Sequence, residues 1–109
     1  MHNIDEFLSV AQSLSVEAGK VCLELQQNLG NVKYKSAKDV VTIADVTSEK
    51  IIVEGLRAAF PSHSIRTEEA GEILGEDSRY RWIIDPVDGT VNFSRGIPLW
   101  GISIALHFE

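Results

Sequence analysis

The sequence predicts an α+β domain in which two N-terminal helices lie against a mainly antiparallel sheet. Apolar residues recur at three- and four-residue steps from position 4 to 29, and a second stretch of that kind runs up to Pro61. Beyond Pro61 the apolar residues instead form short runs or alternate with polar ones, as strands do.

Ile4, Phe7, Leu8, Ala11, Leu14, Ala18, Val21, Cys22, Leu25 and Leu29 share one stripe of a helix predicted over residues 4 to 29. Asn3 and Glu6 supply a cap-like start and Gly30 a stop. Lys33, Lys35 and Lys38 mark a polar loop that runs into a short extended segment at Val40 to Ile43. The second helix is expected from Asp45 to Phe60, with Ile51, Ile52, Leu56, Ala59 and Phe60 turned inward and Pro61 just past its end.

Ser62 to Thr67 reads as a short strand, and the acidic, Gly-containing stretch from Glu68 to Arg79 has no period and is expected to be a mobile connection. Arg81 to Asp85 contains Trp82, Ile83 and Ile84, a buried-strand signature ended by Pro86. Gly101 to Phe108 alternates Ile102, Ile104, Leu106 and Phe108 with Ser103, Ala105 and His107, as a half-buried strand does.

At 109 residues the chain can bury one core and hardly two, and its 44% hydrophobic and 24% charged residues are ordinary for a folded domain. A formal net charge of -6 argues against nucleic acid or an anionic membrane surface as a partner, since phosphate-backbone binding rests on Lys and Arg. An anionic substrate would therefore need recruited positive charge, and a metal cation is the simplest source. Cys22 is the single cysteine, which excludes an intramolecular disulfide and a Cys-based zinc cluster, and it is expected in the core. The N-terminus lacks a basic start and apolar run, and no stretch approaches the ~18 apolar residues of a membrane span, so a cytoplasmic location is expected.

The residues that carry chemistry follow the Trp82 strand. In Asp85-Pro86-Val87-Asp88-Gly89-Thr90, Pro86 has a fixed φ and no amide proton, and Gly89 tolerates backbone conformations that other residues avoid. The segment can therefore turn sharply and direct two carboxylates and the Val87 carbonyl toward one point. Hard divalent cations such as magnesium take oxygen ligands of this kind. Where Thr90 follows, backbone amides of a turn or helix start could hold a phosphate oxygen, and the Thr90 hydroxyl could orient a water. Taken alone, Asp-Pro and Asp-Gly are also common turn formers, and the hexapeptide leaves turn and metal site equally open.

The longer pattern Trp82-x-x-Asp85-Pro86-x-Asp88-Gly89-Thr90-x-Asn92-Phe93 resembles a signature of the inositol monophosphatase family of magnesium-dependent, lithium-sensitive phosphatases. Asp39-Val40-Val41-Thr42-x-Ala44-Asp45, Pro61-Ser62-His63-Ser64 and Glu68-Glu69 are similar to family segments in the same order, so the resemblance spans residues 4 to 108. It implies the N-terminal lobe of a layered αβαβα sugar-phosphatase fold, with two or three magnesium ions in the complete site.

The resemblance assigns Glu68 as a metal ligand that helps activate the attacking water, Asp85 as a carboxylate shared between metals, Val87 as a ligand through its carbonyl, and Asp88 as a ligand of the second metal. Thr90 would orient the water with support from Asp45, the two approaching within hydrogen-bonding reach, and Gly89 and Thr90 would give amides to the phosphate. On their own, Asp45 reads as a helix N-cap and Glu68 and Glu69 as solvated loop acids. Lys35 corresponds to a mobile-loop lysine of the family or is a solvated lysine. His63 is expected to be a structural strand residue, and Trp82, Phe93 and Trp100 core or site-wall aromatics.

The implied activity is magnesium-dependent hydrolysis of a small phosphate monoester, with inositol monophosphate leading because no lysine follows Thr90. The alternative is an incomplete or non-catalytic metal- and phosphate-binding lobe. Family members continue into a second half that supplies a further aspartate ligand and most substrate contacts. Residues 1–109 are thus expected to form an N-terminal metal-binding lobe without its C-terminal half. Such a lobe would expose the apolar face of Ile102, Ile104, Leu106 and Phe108, and would pair as a homo-oligomer or with a complementing chain.

Overall fold

The structure, a computed structural model, describes residues 3–28 and 37–109. In chain order the elements are α1 (Ile4–Gln27), α2 (Ala37–Ala59), β1 (His63–Thr67), β2 (Gly71–Ile73), β3 (Asp77–Asp88), α3 (Thr90–Ser94) and β4 (Gly101–Phe108). Leu29, the expected stop at Gly30, and Lys33 and Lys35 lie outside the described residues. No described helix is long and apolar enough to cross a membrane.

Helix α1 begins where its sequence says it should: the Asn3 side chain accepts from the Glu6 amide at 2.9 Å, and Asp5 and Glu6 sit in the positive first turn. Its buried residues, Leu14, Ala18, Cys22 and Gln26, are spaced four apart. Helix α2 answers with the same spacing: Val40, Ala44, Ser48, Ile52 and Leu56 are all fully buried, and Phe60 follows at its end. Two four-residue ridges of this kind pack together, and they approach closely because a Cβ on Gly55 would overlap the Leu14 side chain.

The extended segment expected at Val40 to Ile43 is therefore helical. Four β-branched residues in a row favour a strand locally, but as a helix they place Val40 in register with Ala44 against Cys22 of α1. Burial of that stripe overrides the local preference.

The sheet has the order β2-β1-β3-β4. Its outer pairs are antiparallel and its central pair, β1 with β3, is parallel. Both helices cover one face, where Ile65, Trp82 and Ile84 meet Leu14, Ala18, Ile52, Leu56 and Phe60. Each large side chain so buried contributes roughly 1.5–3 kcal/mol.

His63 is part of that core rather than a ligand. Its ring lies stacked between Phe60 at 5.0 Å and Tyr80 at 4.4 Å, and its Nδ1 accepts from the Trp82 indole at 3.0 Å.

Two expectations about the sheet are corrected. The stretch from Glu68 to Arg79 contains β2 and the start of β3. Thr67 Oγ1 accepts from the Ala70 amide at 2.9 Å and Gly71 adopts φ 71°, which turns the chain back onto β1. With three residues, β2 is too short to show a period. Pro86 does not end β3 but lies inside it, at an irregularity of the β3–β4 ladder between Asp85 and Asp88 where the missing amide proton costs no ladder bond.

On β4, Ile102, Ile104 and Leu106 are half-buried against the helical layer, whereas Phe108 is 57% exposed. The face expected to lack cover is thus partly covered by α1, and what stays open is an apolar groove lined by Ile4, Leu8, Tyr80, Leu106 and Phe108.

Candidate functional site

The parallel register of β1 and β3 pairs Thr67 with Ile84. The next residues in each segment, Glu68 just past β1 and Asp85 within β3, therefore lie at the same end of this central pair. Asp45 approaches that end from α2. Glu68 and Asp85 come together from separate segments because the strands run parallel, a feature no local pattern encodes, and Asp45 lies near enough for both charges to act on it.

Asp45 records the convergence. Burial, first, and then the charges of Glu69, Asp85, Glu68 and Glu49 push its carboxyl up to about 6. Among the described residues, every charge that acts on it is negative. Asp85 adds a second sign of an unmet need, since its Oδ1 is buried without a hydrogen-bond partner among the described residues.

Asp85, Pro86, Val87 and Asp88 form a bulge. Asp85 pairs with Ser103 and Asp88 with Gly101, so three steps along β3 match two along β4. Val87 turns its side chain into a second core cluster with Cys22, Val40, Ala44 and Phe93. Asp88 ends the strand and is exposed.

Gly89 follows at φ 88°, ψ 44°, the left-handed conformation, and starts α3. A Cβ there would also stand 3.1 Å from the Leu99 carbonyl oxygen, so both the torsion and the returning loop require glycine. Thr90 is the exposed first residue of α3. No direct hydrogen bond joins Thr90 to Asp45 among the described residues. The α3 residue that packs against α2 is Phe93, nearly a turn later, which sits in the cluster with Val40 and Ala44.

The sequence reading missed Gln26. Buried at the end of α1, it donates from Nε2 to the carbonyls of Phe93 and Ile97, both at 3.2 Å, and accepts at Oε1 from the Trp100 indole at 3.0 Å. Phe93 and Trp100 meet edge to face at 5.1 Å. One amide thereby holds α3 and the loop behind Gly89. A polar residue in register with Leu14, Ala18 and Cys22 was the available signal, because a glutamine on an apolar stripe must find buried partners.

Magnesium, implied by the resemblance, can be set against these residues. The donors are carboxylates and a backbone carbonyl, the oxygen set such a cation prefers. The orphaned Asp85 oxygen and the one-signed charge around Asp45 both call for a cation. No three His, Cys, Asp or Glu side chains among the described residues are grouped to hold a metal on their own. The set fits the ion in charge and donor type, with Asp45, Glu68 and Asp85 brought together and Asp88 at the strand end.

Comparison with known proteins finds relatives over nearly the whole chain. An inositol-1-monophosphatase of Mesorhizobium japonicum is 46% identical over 100 residues, covering 92% of this chain and 35% of that protein. The Nus factor SuhB of Pasteurella multocida is 38% identical over 108 residues, covering 97% of this chain and 40% of that protein. The crystal structure of the extragenic suppressor protein suhB from Bartonella henselae superposes with a TM-score of 0.80 at 38% identity, covering 94% of this chain and 39% of that chain. The chain thus spans about two fifths of the length of the relatives it matches. With the family model matching residues 3–109, the chain belongs to the inositol monophosphatase family.

Proposed function

We propose that residues 1–109 are the metal-binding lobe of a magnesium-dependent phosphatase acting on a small phosphate monoester, with inositol monophosphate the leading substrate. The observation that carries this reading is the buried Asp85 Oδ1 without a partner among the described residues, with the charges of Asp85 and Glu68 both acting on Asp45. The relative named inositol-1-monophosphatase supports the substrate class.

Glu68, Asp85, Asp88 and the Val87 carbonyl would hold magnesium. When bound, the ion supplies positive charge against a phosphate dianion and makes a water more acidic. Thr90 orients the attacking water through its hydroxyl, Asp45 supports it, and Glu68 helps to accept its proton. The Gly89 and Thr90 amides donate to phosphate oxygens.

A second reading, a lobe that binds metal and phosphate but needs a second polypeptide for turnover, draws on the lack of a three-acid metal group among the described residues. Phosphate release from inositol, sugar and nucleotide monophosphates, with and without magnesium, separates the two. The phosphatase reading expects magnesium-dependent release that is greatest with inositol monophosphate and lost in Asp85→Asn. Magnesium binding without release from any substrate would favour the second reading. Release that ignores magnesium would contradict both.

A further inference from the structure

Ser48 is fully buried on α2, and its Oγ donates to the Pro86 carbonyl at 2.8 Å. A serine inside a helix ordinarily turns its hydroxyl back to a carbonyl of its own preceding turn or out to solvent. Here it reaches across to β3, to the residue between two of the oxygen donors described above, Asp85 and Val87. Pro86 lies in the bulge, where the β3–β4 ladder is out of step. The Ser48 bond and the fixed φ of proline together set the orientation of the peptide plane that joins Pro86 to Val87.

The bond also couples two elements. Ser48 sits three residues after Asp45 on α2, so one hydrogen bond keys the helix that carries Asp45 to the strand that carries Asp85. Cys22 of α1 reaches the same helical turn, its Sγ 3.9 Å from the Ala44 carbonyl.

We infer that Ser48 is a positioning residue for the metal ligands: by holding the Pro86 carbonyl it fixes the bulge on which Asp85 and Val87 are carried. The inference rests on the metal-dependent reading of the site. It concerns a residue that touches neither metal nor substrate, and that no motif in the sequence singles out.

The test uses the full chain and its Ser48→Ala and Ser48→Cys variants, with calorimetric titration of magnesium and amide NMR of the metal-free proteins. In Ser48→Ala, magnesium affinity should fall roughly fivefold or more, the factor that one lost net hydrogen bond corresponds to. The Asp85 and Val87 resonances should move while the Trp82 indole resonance, reporting the His63 contact in the core, stays in place. Ser48→Cys keeps a weaker donor and should fall between. It also carries the test should Ser48→Ala not fold. Wild-type affinity in a folded variant, even one with a lowered melting temperature, would overturn the inference. An unvaried protein that binds no magnesium would instead contradict the proposed function. In that case displaced Asp85 and Val87 resonances would still place Ser48 as the holder of the bulge, and unmoved ones would remove that role too.

Discussion

The Gln26 side chain and the Trp100 indole meet at 3.0 Å, across a gap between the end of α1 and the loop that returns to β4. With its amide nitrogen on the Phe93 and Ile97 carbonyls, Gln26 is the one α1 residue found to reach behind the Gly89 turn by hydrogen bonds among those described. Replacing it by leucine would fill the space but leave the Ile97 carbonyl and the Trp100 indole N–H without that partner, while the Phe93 carbonyl keeps the Gly96 amide at 3.1 Å. An unmet buried polar group costs about 1–3 kcal/mol, so Gln26→Leu should lose about 3 kcal/mol in urea unfolding. A loss below about 0.5 kcal/mol, the range of an ordinary surface change, would mean that water replaces the amide.

Gly75 and Gly71 separate two reasons for a glycine. A Cβ on Gly75 would collide with the Ser62 and His63 backbone carbonyls, which cannot move without opening β1. Gly71 has φ 71° and nothing near a Cβ, so only torsional strain opposes a side chain there. Gly75→Ala should therefore cost about 2–3 kcal/mol and Gly71→Ala about 1 kcal/mol. Thermal melts giving the reverse order would contradict the steric account of the turn.

Much of the fold was legible because it rests on period. The Leu14, Ala18, Cys22 ridge and the alternation through Ile102, Ile104 and Leu106 each show in the sequence as the structure uses them. The helix over Val40 to Ile43 was not legible, because its stripe pays off only against Cys22 of α1, and single-segment patterns carry no information about a partner. The same limit hid β2, too short for alternation, and hid Ser48, an ordinary polar residue until Pro86 is placed beside it. The site was legible as a motif around Asp85 and Gly89. That Glu68 lies at the same end as Asp85 follows from the parallel pairing of β1 with β3, which only the fold reveals.

Asp45 predicts a pH dependence of the metal-free chain. Its unfolded carboxyl titrates near 3.8 and its folded one near 6, so between these values the folded state holds a proton that the unfolded state has released. The stability this contributes is fully present below 3.8 and is lost as pH rises through about 6. Thermal melts without metal should show melting temperature falling across that window, and Asp45→Asn should flatten the fall. A wild-type profile matching that of Asp45→Asn throughout would show that neither burial nor the neighbouring acids raise the Asp45 carboxyl.

Asp85→Asn should have effects of opposite sign with and without metal. Removing one negative charge from the cluster relieves repulsion, so the metal-free variant should melt roughly 2–5 °C higher, corresponding to less than about 1 kcal/mol in a domain of this size. The rise in melting temperature that magnesium gives the unvaried chain should disappear in the variant. Asp88→Asn, at the exposed strand end, should keep the fold and weaken magnesium binding. A variant at either position that keeps the full magnesium response would make that residue a turn former and no ligand.

The central claim is that the acids at this sheet edge are a divalent-cation site, and anomalous diffraction from crystals soaked in manganese, a magnesium substitute with a strong signal, tests it most directly. The account predicts a peak bound by Asp85 together with Glu68, Asp88 or the Val87 carbonyl, and no such peak in Asp85→Asn. Soaked crystals with no peak at this edge, or with peaks only at other carboxylates, would contradict it.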